Sequence, residues 1–122
     1  MILIFTSGDK MVLRIAIPAT SSSIDSNIAE HFGRAPFYII VDIENFEIKK
    51  YDVLENTSAN SHAPGEIPRM LASKKINILL CKRIGYRALS YFEQFGIHVI
   101  KTDLDGVKEA LMKFIEELKT KK

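Results

Sequence analysis

The chain is poor in the residues that build disulfides, multi-thiolate metal sites and membrane spans. Cys81 is the single cysteine among 122 residues, which excludes an internal disulfide and a zinc site made of several thiolates. The longest apolar run is far shorter than the roughly 20 residues that a membrane-spanning helix needs. The run Met1–Phe5 is too short for a signal-peptide core, and no basic residue precedes it. We therefore expect a cytoplasmic protein that does not bind membranes.

A strong charge of one sign is also lacking. The sequence has 17 basic and 15 acidic side chains, but three of the lysines lie in the last four residues. Residues 1–118 alone carry 14 basic and 15 acidic side chains, a balance of −1. A nucleic-acid-binding surface requires a clear excess of basic residues. We therefore expect no nucleic acid among the partners.

The usual signatures of two enzyme classes are missing as well. Neither GxGxxG nor GxxxxGK[ST] occurs, so there is no glycine-rich phosphate loop. Two-metal nucleases need carboxylates at the edge of the sheet, beginning with one on the first strand. The predicted first strand, Val12–Pro18, has none. We therefore predict that the protein is not an enzyme.

Hydrophobic periodicity predicts one α/β domain with the order βββαβαβα. Hydrophobic residues make up 47% and charged residues 26% of the chain, which is ordinary for a globular domain. Strands are predicted at Val12–Pro18, Phe37–Ile43, Phe46–Leu54, Ile76–Cys81 and Ile97–Ile100, with helices beginning near Glu66, Ile84 and Val107. We expect the domain to cover residues 12–119. Residues 1–11 would be an N-terminal extension, with Met11 as an alternative start, and residues 120–122 a lysine-rich tail.

The stretch Ser26–Asp42 combines chemically active residues with a rigid strand. It begins as a polar loop, passes through a His-Phe-Gly-Arg-Ala sequence and continues directly into the second strand. Gly33 permits a positive φ or a close backbone approach. His31 can bind a metal or carry a proton, and Arg34 offers a planar fork to an anion. The alternative is that both residues only fasten this loop through hydrogen bonds and a salt bridge.

The run Glu30–Ala35, which follows the strand Arg14–Pro18, resembles the dinitrogenase iron–molybdenum cofactor biosynthesis family. The best-known members are small accessory proteins that carry nitrogenase cofactor or its precursor cluster. The likeness extends from about Val12 to Leu111, through the loop Asn60–Gly65 and the Ile84-Gly85 turn. It implies a three-layer, ribonuclease H-like fold: a mixed five-stranded sheet with helices on both faces and only the second strand antiparallel.

This topology brings the loops after strands one, three, four and five to one edge, where open α/β sheets bind ligands. Three candidate metal ligands would then converge there: His31, His62 and Cys81. The candidate cofactor-binding residues are His31, Phe32, Gly33, Arg34, His62, Gly65, Lys82, Arg83 and Gly85. Two imidazoles and a thiol suit an iron–sulfur or molybdenum–sulfur cluster, and the basic residues would balance its negative charge. The helix that starts at Gly85 adds a favourable dipole.

Each metal-ligand candidate also has a structural alternative. Cys81 ends a buried strand, where a free cysteine can serve as a small hydrophobic residue. His62 lies among Asn and Ser residues that favour exposure to solvent, and His98 lies inside the fifth strand, where we assign it to the fold. Cys81-Lys82-Arg83 also departs from the family, whose members usually have small residues there, often glycine.

The combined pattern predicts a carrier. Two imidazoles and one thiol are too few to hold a cluster fully, and sparse ligation suits a protein that must release its cargo. We therefore expect a metal cluster as cargo and a cofactor-assembly or acceptor protein as partner. The alternative function is a regulatory or protein-interaction module with an anion-binding cleft.

Overall fold

Eight regular elements follow each other in the computed structural model, which describes residues 12–57 and 65–120. They are β1 (Val12–Ala19), β2 (Phe37–Glu44), β3 (Glu47–Glu55), α1 (Glu66–Ser73), β4 (Ile78–Cys81), α2 (Tyr86–Gln94), β5 (His98–Lys101) and α3 (Val107–Thr120). A 3₁₀ turn, Phe32–Arg34, lies between β1 and β2. The predicted order βββαβαβα is confirmed, and each strand boundary falls within two residues of its prediction. The predicted extension at residues 1–11 lies outside the described residues and stays a prediction.

The strands form one mixed sheet in the order β3-β2-β1-β4-β5. β2 runs antiparallel to both of its neighbours, whereas β1, β4 and β5 are parallel to one another. The central β1 is paired along its whole length with β2, and it aligns Ile15 with Ile78 of β4 on the other side. The ribonuclease H-like arrangement is therefore confirmed. The carboxyl ends of β1, β3, β4 and β5 all lie at one edge of the sheet.

The two faces of the sheet are covered by different helices, which makes three layers. Alternate side chains of a strand point to opposite faces. On one face, Leu13, Ile15 and Ile17 of β1 pack against α3. The side chains buried from α3 are Val107, Ala110, Leu111, Phe114 and Ile115. On the other face, α1 and α2 cover a core that contains Ala16, Tyr38, Leu79, Cys81 and Phe92, together with Phe32 of the 3₁₀ turn.

The helix ends follow local sequence signals. Pro68 lies in the first turn of α1, where a missing N–H removes no intrahelical bond. Gly96 follows α2 with φ +75°, the left-handed conformation that commonly ends a helix. Across the described segments, none of the three helices has the length and apolar character that a membrane crossing requires.

Candidate functional site

A cleft of about 300 Å³ opens at the carboxyl edge of the sheet, between the 3₁₀ turn and the amino-terminal ends of α1 and α2. Its lining residues are Phe32, Gly33, Gly65, Ile67, Pro68, Gly85, Arg87, Ala88 and Tyr91. Four of these, Phe32, Gly33, Gly65 and Gly85, are candidate binding residues from the sequence. Three separate loops, after β1, β3 and β4, therefore contribute to one site.

Backbone hydrogen bonds hold the loop after β1 against the segment after β4. His31 and Arg83 form a parallel bridge, in which the N–H of Phe32 donates to the carbonyl of Arg83 over 2.9 Å. Further back, the N–H of Ala29 donates to the carbonyl of Pro18 over 2.9 Å. The His31–Arg34 region is therefore an ordered extension of the sheet edge.

Two buried polar side chains support this loop from beneath. The hydroxyl of Tyr38 donates to the carbonyl of Phe32 over 2.7 Å, and Nδ2 of Asn56 donates to the carbonyl of Ala35 over 2.8 Å. Burial raises the pKa of Tyr38. Neither residue was predicted from the sequence to belong to the site. A signal existed for Tyr38, because a buried phenol in the apolar run Phe37–Val41 needs a hydrogen-bond partner.

His31 lies at the rim of the cleft rather than in its wall. Its side chain is exposed and is not among the lining residues. The part of the chain that the structure describes contains no group of three or more His, Cys, Asp and Glu residues arranged to hold a metal ion. His62 lies outside the described residues, so its predicted convergence with His31 stays a prediction.

Cys81 lies under the cleft, inside the protein. Its side chain has no exposure to solvent and belongs to the core that includes Phe32, Tyr38 and Phe92. Burial raises the pKa of the thiol to about 11, although the nearby charge of Lys101 acts in the opposite direction. A metal ligand has to be a thiolate that the metal can reach. Burial and a raised pKa favour the core role of Cys81 over the ligand role.

Lys82 binds two carboxylates of the protein itself. Its Nζ lies 2.6 Å from Oδ1 of Asp105 and 3.0 Å from Oε2 of Glu30. Hydrogen bonds to Asp105 and then to Glu30 raise the pKa of Lys82. The lysine does not line the cleft. This geometry favours a role in fastening the loop before His31 to the segment before α3.

Arginines surround the cleft instead. Arg34 and Arg83 are exposed beside Gly33 and His31, and Arg87 lines the cleft itself. Arg69 lies over the ring of Tyr91, with 5.8 Å from its Cζ to the ring centroid. Arg87 and Tyr91 were not predicted from the sequence. Their spacing of four residues on a helix that starts after Gly85 would place both on one helix face, which was the available signal.

Comparison with known proteins agrees with this architecture. Residues 13–117 match the family described as Dinitrogenase iron-molybdenum cofactor. The uncharacterized protein MJ0580 of Methanocaldococcus jannaschii is 34% identical over 108 residues, which are 86% of this chain and 92% of that protein.

Two solved structures share the fold over nearly the whole domain. The crystal structure of PH0822 has a TM-score of 0.77 and 33% sequence identity, over 86% of this chain and 90% of that one. The apo form of the orange protein from Desulfovibrio gigas has a TM-score of 0.74 and 26% identity, over 86% of this chain and 88% of that one. The match over residues 13–117 means that the chain belongs to the dinitrogenase iron-molybdenum cofactor family.

Proposed function

We propose that this protein carries an iron–sulfur or molybdenum–iron–sulfur cluster during metallocofactor assembly and releases it to an acceptor protein, with no catalytic step. The proposal keeps the cytoplasmic location expected from the sequence. One observation carries it: the family motif around Phe32 and Gly33 forms a wall of a cleft at the sheet edge where α/β proteins bind ligands.

The shape of the cleft supports a compact polyatomic ligand. Its volume of about 300 Å³ is at the lower end of the range for small-molecule sites. At Gly33, Gly65 and Gly85 the wall of the cleft is backbone alone, because glycine has no side chain. At Gly85 no atom lies within 4 Å of the position that a β-carbon would take, so the opening there is free.

The charge of the cleft supports an anionic ligand. Clusters that contain sulfide and thiolate ligands are anionic. Arg87 contributes a positive charge to the lining. The amino-terminal end of α2 adds the positive end of a helix dipole, and the first turn of that helix contains no acidic residue. Both features attract the cargo without a covalent bond to the metal.

In this proposal, two histidine imidazoles bind the metal cluster. The exposed imidazole of His31 is the first ligand, and His62 is the second from the loop after β3. Two imidazoles hold a cluster less firmly than four thiolates do. Weak ligation combined with charge attraction suits uptake followed by release.

The test is an anaerobic titration of the protein with iron(III) and sulfide, with and without molybdate, in which the charge-transfer absorption of the product is followed. We expect wild-type protein to take up a cluster and His31→Ala to bind it roughly 10 to 100-fold more weakly, because a ligand is lost. His98→Ala is the matched control, since His98 is also exposed but lies on β5 and not in the cleft. His62→Ala tests the second ligand in the same way.

Two results contradict the carrier function. One is wild-type protein that takes up no cluster under any of these conditions. The other is His31→Ala protein that binds as tightly as wild type. Either result leaves the interaction module with an anion-binding cleft as the better account.

A further inference from the structure

We infer that the rim of the cleft is a docking surface for an acidic face of a protein partner. We call this surface the arginine rim and define it by Arg34, Arg69, Arg83, Arg87 and Tyr86. The inference rests on the proposed function, because a carrier needs an acceptor, and it specifies the chemistry by which that acceptor is recognised.

The distribution of arginine separates the rim from the rest of the protein. The chain contains five arginines and twelve lysines, and four of the five arginines surround the cleft. The fifth, Arg14, lies near the opposite edge of the sheet, where its Nε donates to Asp42 over 2.7 Å. Arginine is enriched at protein interfaces and lysine is depleted there.

Within residues 12–57 and 65–120, no ion pair includes an arginine of the rim, although Arg69 lies over the ring of Tyr91. Ion pairs between described side chains include Arg14 with Asp42, Lys49 with Glu44, Lys82 with Glu30 and Asp105, and Lys108 with Asp25. None of these pairs includes an arginine of the rim. Four guanidinium groups therefore concentrate positive charge around the cleft, although the net charge of the whole chain is only +2. Such a field steers an acidic partner towards the cleft.

Tyr86 gives the rim an apolar anchor. Its side chain is 93% exposed, compared with 48% for Met112 and 43% for Tyr51, the next most exposed large hydrophobic residues of the described chain. It is the first residue of α2 and lies between the cleft-lining residues Gly85 and Arg87. Tyrosine and arginine are the residue types that most often dominate interface energies. Their combination favours a macromolecular partner over a second small ligand.

The chemistry of arginine favours carboxylates on that partner. A guanidinium group binds a carboxylate through two parallel hydrogen bonds, and it is more weakly hydrated than an ammonium group. Arg83 forms the backbone bridge with His31, and Arg34 follows three residues after His31. Several carboxylates on one protein face could bind several of these arginines at once. A partner bound there would cover the cleft, and cargo would pass between the proteins without entering solvent.

The experiment uses apo protein and fluorescein-labelled poly-L-glutamate, with binding followed by fluorescence anisotropy and mapped by amide chemical shifts. We expect binding that weakens with salt, shifts centred on residues 83–88, and a loss of at least about tenfold in affinity for Arg34→Glu/Arg83→Glu. Lys50→Glu/Lys113→Glu is the matched control, with the same charge change at two exposed lysines elsewhere. Tyr86→Ala should weaken binding several-fold, whereas Tyr51→Ala should not. Thermal melting establishes that each variant is folded.

Four results overturn the docking surface. The first three concern poly-L-glutamate: wild-type protein does not bind it, the arginine and lysine double variants lose equal affinity for it, or Tyr86→Ala binds it as tightly as wild type. The fourth is tighter binding of single-stranded DNA of equal charge, which would assign the rim to nucleic acid. The docking surface and the carrier function can fail independently of each other. Wild-type protein that takes up a cluster but does not bind poly-L-glutamate keeps the carrier function and loses the docking surface. Wild-type protein that binds poly-L-glutamate but takes up no cluster keeps the docking surface and loses the carrier function.

Discussion

The ring of Tyr91 lies directly against the α-carbon of Gly65. A β-carbon at Gly65 would stand 2.8 Å from Cζ of Tyr91 and 2.9 Å from Cε1, which is closer than real contacts allow. Gly65 also has φ +80°, in the left-handed region that disfavours other residues. This contact joins the amino-terminal end of α1 to the middle of α2 and fixes the width of the cleft.

Gly65→Ala should therefore lower the free energy of unfolding by about 1 to 3 kcal/mol, because the backbone is strained and the ring of Tyr91 has to move. Gly85→Ala is the control, since its φ is −72° and a β-carbon there meets nothing within 4 Å. We expect the control to change stability by less than about 0.5 kcal/mol. Urea denaturation measures both. Equal effects of the two substitutions would contradict the steric role of Gly65.

Tyr38→Phe should destabilise the protein and loosen the loop above it. Without the hydroxyl, the carbonyl of Phe32 loses its 2.7 Å hydrogen bond in a buried position, at a cost of about 1 to 3 kcal/mol. Amide hydrogen exchange should become faster at Phe32 and its neighbours. Tyr51→Phe, at an exposed position on β3, is the control and should leave both measurements unchanged. Unaltered exchange in Tyr38→Phe would mean that the loop is held by its backbone bonds alone.

Cys81 should make stability depend on pH in alkaline solution. The pKa of its thiol rises from 9.0 to about 11 on folding because the group is buried. The unfolded chain loses this proton at lower pH than the folded protein does. The contribution of the buried thiol to the free energy of unfolding is therefore fully present below pH 9 and is lost as pH rises through about 11. The shift corresponds to roughly 2 to 3 kcal/mol. Urea denaturation of wild type and Cys81→Ala across this range isolates the thiol, because the titration of Tyr38 is common to both proteins.

The same variant separates the two roles of Cys81. A core role predicts that Cys81→Ala loses the alkaline dependence and some stability but still takes up a cluster. A ligand role predicts loss of uptake in a protein that remains folded. A pH dependence that is identical in wild type and variant would contradict the buried thiol.

The strands were predictable because their signals are local. Ile76–Cys81 is almost continuously apolar, as expected of a strand covered on both faces, and all four residues of β4 are buried. The predicted strands Phe37–Ile43 and Phe46–Leu54 left residues 44–45 for the turn between β2 and β3, one residue too early. The turn consists of Asn45 and Phe46, which have φ of +52° and +69°. Phe46 was a poor candidate because aromatic residues rarely adopt this region, but its ring packs on the core beside α3, and tertiary packing outweighs the local preference.

The site was only partly predictable because its residues come from distant parts of the chain. The sequence supplied Phe32 and Gly33 through a local motif. It gave no indication that Lys82 would bind Glu30 and Asp105, which are 52 and 23 residues away. Such ion pairs depend on the packing of loops after different strands. Lys82 was therefore predicted as a cargo-binding charge on the basis of its position after β4 alone.

Lys82 and Arg87 should differ in their effect on cluster uptake, although each substitution removes one positive charge near the cleft. Arg87 lines the cleft, so Arg87→Met should weaken uptake by about tenfold or more, as expected when a charge-assisted contact is lost. The charge of Lys82 is already matched by Asp105 and Glu30. Lys82→Met should therefore have the smaller effect on uptake. Its main effect should be faster amide exchange in the loop around Glu30, which has lost its ion pair with Lys82.

Anaerobic titration of both variants beside wild type makes the comparison. A larger loss of uptake for Lys82→Met than for Arg87→Met would contradict this assignment and would return Lys82 to the cargo site.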